Sequence, residues 1–280
     1  MLCAGQVSAQ STWPVITLAD TPYEKAMRVG DRYIRQAGNI RSTVRQLRFF
    51  EHGVSFYERA IQAEPMAAEP HYRIAEVLNA YYQQGPPKRV ANTMLRHWER
   101  FAELAPLDPR VNETLFERAL VHTRMGSDEH YRKAIDIYKR LFVRIDLQSS
   151  PGTSAALRFS NMAEIYMMLG ELETAIPLYQ RSLANYPDAL YAFGLAVALD
   201  RNGQGERARE VMSTHTTNDS LRRLTEGAVF FVPHGEVFYY FALGYEVLGR
   251  SEEAIQQYQK FIDSGAHPRY HRRARENMQR

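Results

Sequence analysis

Residues 170–187 read GELETAIPLYQRSLANYP, and this stretch decides how the chain folds. Pro177 lies inside it, and a proline in a helix interior removes a hydrogen bond and clashes with the preceding turn. If the helix begins near Leu172, however, Pro177 lies only about one turn from its start, where the first amide groups have no partner within the helix. We therefore predict one helix from Leu172 to Asn185, ended by Pro187. Its apolar side chains recur at the spacing of one helix face, at Leu172, Ala175, Ile176, Tyr179 and Leu183.

The residues before Gly170 carry a second helical face, and the two faces together form a unit that recurs along the chain. Small residues in such a unit let two antiparallel helices approach closely, and aromatic residues fill the space beside the crossing. In the best copy these residues are Phe159, Met162, Ala163, Tyr166, Gly170, Ala175, Tyr179, Ser182 and Pro187. The later copies contain Ala192, Leu195, Ala196, Leu199, Gly203, Ala208 and Met212, then Phe238, Phe241, Ala242, Tyr245, Gly249, Ala254, Tyr258 and Phe261. Weaker copies precede it, with Leu115, Ala119, Gly126, Ala134, Tyr138 and Leu141, and with Ile74, Ala75, Leu78, Trp98, Phe101 and Pro106.

This unit resembles the tetratricopeptide repeat, a helix–turn–helix pattern of about 34 residues. The resemblance implies an all-α fold, a right-handed superhelical solenoid of antiparallel helix pairs. A single pair cannot cover its own apolar face, so neighbouring pairs must stack. We expect about five or six pairs, the first of which has its first helix over 22–46 and its second helix around Gly53, Tyr57 and Ala60.

The repeat pattern also divides the chain. We predict a leader over 1–20, a repeat domain over 21–265, and a basic C-terminal capping helix over 266–280. An insertion at 213–236 separates two good copies. Its apolar run, 228–232, lacks helical spacing, and we interpret it as a buried plug or an extra half-helix, with a partner-docking strand as the alternative.

The leader resembles the end of a secretory signal peptide. Small residues in MLCAGQVSAQSTWP, residues 1–14, lead into Val7-Ser8-Ala9, which is similar to an A-x-A cleavage site. Two interpretations stay open. If the leader is a truncated signal peptide, the protein is periplasmic or secreted; otherwise it is cytoplasmic.

Composition excludes several classes of protein. Cys3 is the only cysteine, so neither an intrachain disulfide nor a cysteine-rich zinc site can form. The formal net charge of +3 is far from the strong basic bias of a dedicated nucleic-acid binder. No apolar run approaches the roughly 18 residues of a membrane span. His267 and His271 have no third ligand nearby, and the chain has no Gly-rich phosphate loop, HExxH or GxSxG motif, so we predict no metal, no cofactor and no catalytic residue.

In tetratricopeptide arrays the first helix of each pair lines a groove that holds a segment of a partner protein. The resemblance therefore implies a non-enzymatic scaffold or adaptor that binds a partner peptide or helix through aromatic anchors and a polar rim, in a cell-envelope assembly if the leader is a truncated signal peptide. Transferring the groove positions to this chain gives Tyr72, Arg73, Glu76, Asn79, Phe116, Glu117, Thr123, Arg124, Asn161, Glu164, Met167, Phe193, Asp200, Arg201, Tyr239, Tyr240 and Glu246.

Two alternatives come from other features. Two arginine triplets near the N-terminus have i, i+4, i+7 spacing and would form basic stripes for an anionic partner, which suggests a helical-repeat RNA-binding protein. The insertion at 213–236 suggests an accessory subunit of an enzyme complex, or an enzyme. The triplets are Arg28, Arg32 and Arg35, then Arg41, Arg45 and Arg48.

Overall fold

The structure is a computed structural model that describes residues 20–40, 42–82, 87–144, 153–225 and 235–279. Within these ranges the regular secondary structure is helical throughout. Almost all of the predicted leader and the apolar run at 228–232 lie outside the described residues. The helices are α1 (Pro22–Gly38), α2 (Thr43–Ala63), α3 (Glu69–Tyr81), α4 (Lys88–Leu104), α5 (Arg110–Met125), α6 (Asp128–Arg144), α7 (Thr153–Leu169), α8 (Leu172–Asn185), α9 (Ala189–Arg201), α10 (Gly205–His215), α11 (Asn218–Arg222), α12 (Val237–Val247), α13 (Ser251–Asp263) and α14 (His271–Asn277), with a 3₁₀ turn (Pro268–Tyr270) before α14.

Consecutive helices form pairs, and the pairs stack on one another. The pairs are α1/α2, α3/α4, α5/α6, α7/α8, α9/α10 and α12/α13. In the first five pairs, the second helix of the pair also contacts the first helix of the next pair. The short helix α11 stands between the fifth and sixth pairs, and α12 packs directly against α9 and α10. The predicted all-α solenoid of helix pairs is therefore confirmed.

The helix that contains Pro177 is a single element. Helix α8 runs from Leu172 to Asn185 with Pro177 inside it and exposed to solvent, as the sequence predicts. The glycines predicted to separate the two helices of a pair have left-handed backbones, with φ between 69° and 79°, which side chains with a Cβ rarely adopt. These glycines are Gly126, Gly170, Gly203 and Gly249.

The first pair departs from the prediction. The expected first helix over 22–46 is wrong at its end, because α1 stops at Gly38 and α2 begins at Thr43. The amide of Asn39 bonds back to the carbonyls of Ala37 and Gln36, which closes the helix. The chain then returns so that Tyr57 of α2 packs on Gly30 of α1, where a Cβ would lie 2.6 Å from a ring carbon of Tyr57.

Candidate groove site

The first helices of three consecutive pairs enclose an open cavity of about 370 Å³. Helix α3 contributes Glu76 and Asn79, which are three residues apart. Helix α5 contributes residues 112 and 113 and, four residues later, residues 116 and 117. Each helix therefore presents one face to the cavity. Helix α7 closes the far side. The lining residues are Glu76, Asn79, Asn112, Glu113, Phe116, Glu117, Leu141, Leu157 and Arg158.

Three carboxylates make this cavity acidic. Glu76 accepts a hydrogen bond from Trp98 Nε1 at 3.1 Å, and Glu117 accepts one from Asn79 Nδ2 at 3.1 Å. Burial raises the pKa of Glu76 above its usual value, and the charges of Glu117 and Glu113 raise it further against the opposing effect of the Trp98 bond. Within the described part of the chain, none of the three carboxylates forms an ion pair. The acidic wall is thus available to an incoming cation.

The floor and the far side of the cavity are apolar and basic, whereas the wall is acidic. Phe116 is half-buried and meets the ring of Tyr138 edge-on at 6.2 Å between centroids. Leu141 is buried beneath it, and Leu157 extends the apolar surface. Arg158 also lines the cavity, and its buried Nη1 atom has no hydrogen-bond partner in the described part of the chain. Burial lowers the pKa of Arg158. The cavity therefore offers an apolar floor, an acidic wall and one guanidinium donor.

The structure brings together only part of the predicted groove set. Glu76, Asn79, Phe116 and Glu117 line the cavity. Three other predicted residues in the first half of the solenoid are accessible to solvent but do not line the cavity. Tyr72 lies under the guanidinium of Arg110 at 4.4 Å, Arg73 pairs with Glu69 at 2.7 Å, and Arg124 is half-buried.

Sequence reasoning missed part of the cavity lining. The missed polar residues are Asn112, Glu113 and Arg158. Glu113 stands four residues before Glu117 on the same helix face, so this spacing is the signal that could have identified it. Arg158 had no such signal, because it reaches the cavity from another helix pair.

In the second half of the predicted groove most of the chosen side chains are buried, and the prediction that they face a partner is corrected. Helix α9 is buried over its whole length from Leu190 to Arg201, so no face of it is free. The sequence carried a signal for this, because a helix that is apolar nearly all round belongs in the interior. The buried residues of the predicted set are Thr123, Asn161, Glu164, Met167, Phe193, Asp200, Arg201, Tyr239 and Tyr240. Glu246 is half-buried and accepts a hydrogen bond from the Tyr258 hydroxyl at 2.6 Å.

Glu164 joins three helices of two pairs, α7, α8 and α12, in this interior. Its Oε2 accepts hydrogen bonds from the hydroxyls of Tyr179 and Tyr240, each at 2.5 Å. Burial raises the pKa of Glu164 to about 7, although the two tyrosine bonds oppose the shift; the charge of Glu236 raises it further and that of Arg201 lowers it. The carboxyl therefore titrates near neutral pH.

We expect the stability of the protein to depend on Glu164 between its unfolded and folded pKa values. Because the folded pKa is raised, the neutral carboxyl contributes stability below about pH 4.5, and this contribution is lost as the pH rises through about 7. The Gln side chain of Glu164→Gln does not titrate. The free energy of unfolding of this variant relative to the wild type should therefore increase by about 2–3 kcal/mol from pH 5 to pH 8, and its relative melting temperature should increase with it. Thermal melts of both proteins over this range test it. A constant difference would show that Glu164 is ionised at every pH or does not shift.

A buried ion pair lies near the Glu164 cluster. Arg201 Nη2 is 2.5 Å from Glu236 Oε2, and the two side chains are 0% and 2% exposed. The guanidinium also lies over the rings of Tyr239 at 4.5 Å and Tyr270 at 4.3 Å. This pair connects the end of α9 to the residue just before α12.

The C-terminal segment, residues 266–279, covers the predicted groove positions of the second half. Arg273 Nη2 lies 2.6 Å from Asp200 Oδ1, and Asn277 Nδ2 donates to the other oxygen of Asp200 at 2.9 Å. The Tyr270 hydroxyl reaches the carbonyl of Met167 at 3.4 Å, and Arg269 Nη1 donates to the carbonyl of Leu169 at 2.8 Å. The segment therefore crosses the ends of both α7 and α9.

The described residues of the predicted arginine triplets lie on two different helices. Arg28, Arg32 and Arg35 are exposed on α1, whereas Arg45 and Arg48 are exposed on α2. Arg28 pairs with Asp20, and Arg35 donates to the carbonyl of Asp31 at 3.4 Å. Arg41 lies outside the described residues. The break after Gly38 thus separates the triplets, and nothing in this arrangement supports an anionic partner.

The described ranges contain neither a metal-ligand cluster nor a membrane-spanning helix. Among those residues there is no group of three or more His, Cys, Asp or Glu side chains that could hold a metal ion. No described helix combines the length and the apolar character needed to cross a membrane.

The stacked helix pairs, the left-handed turn glycines and the small residues at the crossings define a helical-repeat solenoid. Residues 161–222 match the sequence model of the family described as tetratricopeptide repeat. The chain therefore contains tetratricopeptide repeats, and the resemblance inferred from its sequence is confirmed.

Solved structures agree on the fold. The chain is similar to a MamA protein, with a TM-score of 0.52 and 16% identity over 76% of this chain and 98% of the other. It is also similar to pilF of Pseudomonas aeruginosa, with a TM-score of 0.52 and 13% identity over 90% of this chain and 99% of the other. A MamA fragment from Desulfovibrio magneticus RS-1 has a TM-score of 0.50 and 13% identity over 70% and 93% of the two chains. Among curated protein sequences none matches the chain.

Proposed function

We propose that this protein is a non-enzymatic scaffold that binds a basic segment of a partner protein in the cavity between α3, α5 and α7. A tetratricopeptide-repeat fold supports a protein-interaction role in general. The observation that supports the finer proposal is a set of three carboxylates beside the half-buried ring of Phe116, none of which has an ion-pair partner among the described residues. An apolar side chain of the partner would rest on Phe116 while a lysine or arginine nearby meets the acidic wall.

The same electrostatics argue against the alternative of RNA binding in this cavity. Phosphate groups would meet Glu76, Glu113 and Glu117, and juxtaposed like charges weaken binding. Arg158 is the one basic residue of the lining. The proposal applies in either compartment that the leader allows, periplasm or cytoplasm, including a role in a cell-envelope assembly.

Charge reversal in the cavity should change which peptides the protein selects. We expect a random peptide library displayed on phage to yield, on the wild type, sequences that combine an apolar residue with lysine or arginine. On the double variant Glu113→Lys/Glu117→Lys, such peptides should bind at least about tenfold more weakly, which corresponds to about 1.4 kcal/mol. The enriched sequences should become acidic. The readout is deep sequencing of the pools, followed by affinities of single peptides at two salt concentrations.

The matched control is Glu173→Lys/Glu252→Lys, which makes the same change in net charge at two exposed glutamates on α8 and α13. It should select the same basic peptides as the wild type. Equal loss of binding in both double variants would mean that only net charge matters. Peptides without any charge preference on the wild type would contradict the proposal directly.

A further inference from the structure

The C-terminal segment contacts the second half of the predicted groove in the way that a bound ligand would. Tyr270, Arg273 and Asn277 stand at i, i+3 and i+7 and point to one side, toward Met167 and Asp200. Both of those residues occupy positions that the repeat pattern assigns to the groove of partner-binding arrays. The segment thus presents an aromatic ring, a cation and an amide to groove positions of the fold.

The polar contacts of the segment centre on one buried carboxylate, while Tyr270 and Ala274 pack into the hydrophobic core. Asp200 accepts from the Arg273 guanidinium, from Asn277 Nδ2 and from the Tyr239 hydroxyl at 2.6 Å. Asn277 Nδ2 also reaches the Tyr258 hydroxyl at 3.0 Å. The ion pair and its hydrogen bonds make the contact specific. When the segment leaves, water can replace these hydrogen bonds, whereas it cannot replace the contacts of an apolar core.

The link from α13 to the C-terminal segment and the fit of the segment in its site both favour exchange of the segment between two copies of the chain. Residues 264–267 join α13 to the 3₁₀ turn of the segment, and two of them have left-handed backbones, Gly265 at φ 69° and His267 at φ 38°. A residue with a Cβ in this region carries strain of the order of 1 kcal/mol or more. Asn277 Oδ1 is buried and has no hydrogen-bond partner within the ranges that the structure describes. Strain in a short connection favours the exchange of an element between copies.

We propose that this half of the groove is a helix-binding site that the C-terminal segment fills within its own chain and that the same segment of a second copy can fill in trans. Asp200 is the central acceptor of the site, and Tyr270, Arg273 and Asn277 are the recognition side chains of the segment. The site lies in the other half of the solenoid from the acidic cavity, and the inference does not depend on the proposed partner of that cavity.

Two substitutions that break the same ion pair should have opposite effects on binding in trans. Arg273→Ala weakens the segment but leaves the site intact, whereas Asp200→Asn weakens the site but leaves the segment intact. A labelled peptide of residues 266–280 should bind full-length Arg273→Ala at least about tenfold more tightly than the wild type, because the competing segment leaves the site more often. The peptide should bind Asp200→Asn no better than it binds the control variant Arg275→Ala. Arg275→Ala, an exposed arginine on the same helix, is the matched control and should behave like the wild type.

Mixing the two full-length variants gives a second test. The intact segment of Asp200→Asn should enter the vacant site of Arg273→Ala, so the mixture should contain a one-to-one complex by native mass spectrometry. Each variant alone should form less of any dimer at the same concentration. Absence of the complex, together with no gain of peptide binding by Arg273→Ala, would overturn the proposal.

A third measurement needs no substitution and covers the case in which Asp200→Asn does not fold. Hydrogen exchange of the wild-type protein should show the amides of 271–277 exchanging at least about tenfold faster than those in the centre of α12, through local opening. If both sets exchange at the rate of global unfolding, the segment is a fixed part of the core and the proposal is wrong.

Discussion

Replacing Arg201 by methionine is expected to lower the free energy of unfolding by about 3–5 kcal/mol, because one partner of a buried ion pair is removed while the other stays. Glu236 is 2% exposed and lies 2.5 Å from the guanidinium. Without Arg201, its carboxylate would stand in the interior opposite an apolar side chain. The stacking of the guanidinium on Tyr239 and Tyr270 would be lost as well.

The test is urea denaturation of the full chain at neutral pH. The double variant Arg201→Met/Glu236→Gln should recover at least half of the loss, because it leaves no uncompensated charge. The matched control is Arg209→Met, whose partner Glu206 is on the same exposed helix. It should change the free energy by less than about 1 kcal/mol. If Arg201→Met were as mild as this control, the ion pair would not be buried as the structure shows.

The parts of the fold that the sequence predicts well are those set by neighbours within one helix pair. Gly170 and Gly203 mark turns because a left-handed backbone is needed where the first helix ends. Pro177 was tolerable because its missing amide lies near the start of α8, and the helix has the predicted bounds. Spacing within a pair is local information, so one copy of the unit is enough to place both helices.

Packing between distant parts of the chain was not predictable in the same way. The repeat pattern gave Asp200 a groove position, yet it did not reveal that Arg273, 73 residues further on, would cover it. The pattern likewise gave no reason for Arg158 to face the carboxylates of α5. In the first pair, the loop after Gly38 was not predicted, because the arginine triplets on both sides of it each have helical spacing. Charge periodicity alone does not show where a helix stops.

The acidic cavity shows how far groove positions transfer between repeat proteins. In the first half of the solenoid, Glu76, Asn79 and Phe116 lie where the pattern places them and remain accessible. In the second half, the corresponding side chains are buried, and they pack against one another and against the C-terminal segment. If the proposed function is correct, equivalent positions serve recognition in one half and cohesion in the other.

This difference determines how tyrosine substitutions should behave. We expect Tyr240→Ala to lower the free energy of unfolding by about 3–5 kcal/mol, because a fully buried aromatic side chain leaves a cavity when it is truncated. The substitution also removes the hydrogen bond that its hydroxyl donates to Glu164. Tyr239→Ala should lose as much, because its ring packs against Tyr258 and Phe261 and its hydroxyl bonds to Asp200.

Two further variants separate the contributions. Tyr240→Phe keeps the ring and removes only the hydroxyl, so it should lose about 1–3 kcal/mol. Tyr186→Ala removes a tyrosine that is 42% exposed and should lose less than about 1 kcal/mol. Urea denaturation gives the four free energies, and peptide binding to the acidic cavity is measured in parallel under native conditions. If Tyr240→Ala keeps the stability of the wild type yet abolishes binding, Tyr240 contacts the partner. If it loses stability while the remaining folded protein binds normally, its role is to hold α7, α8 and α12 together through Glu164.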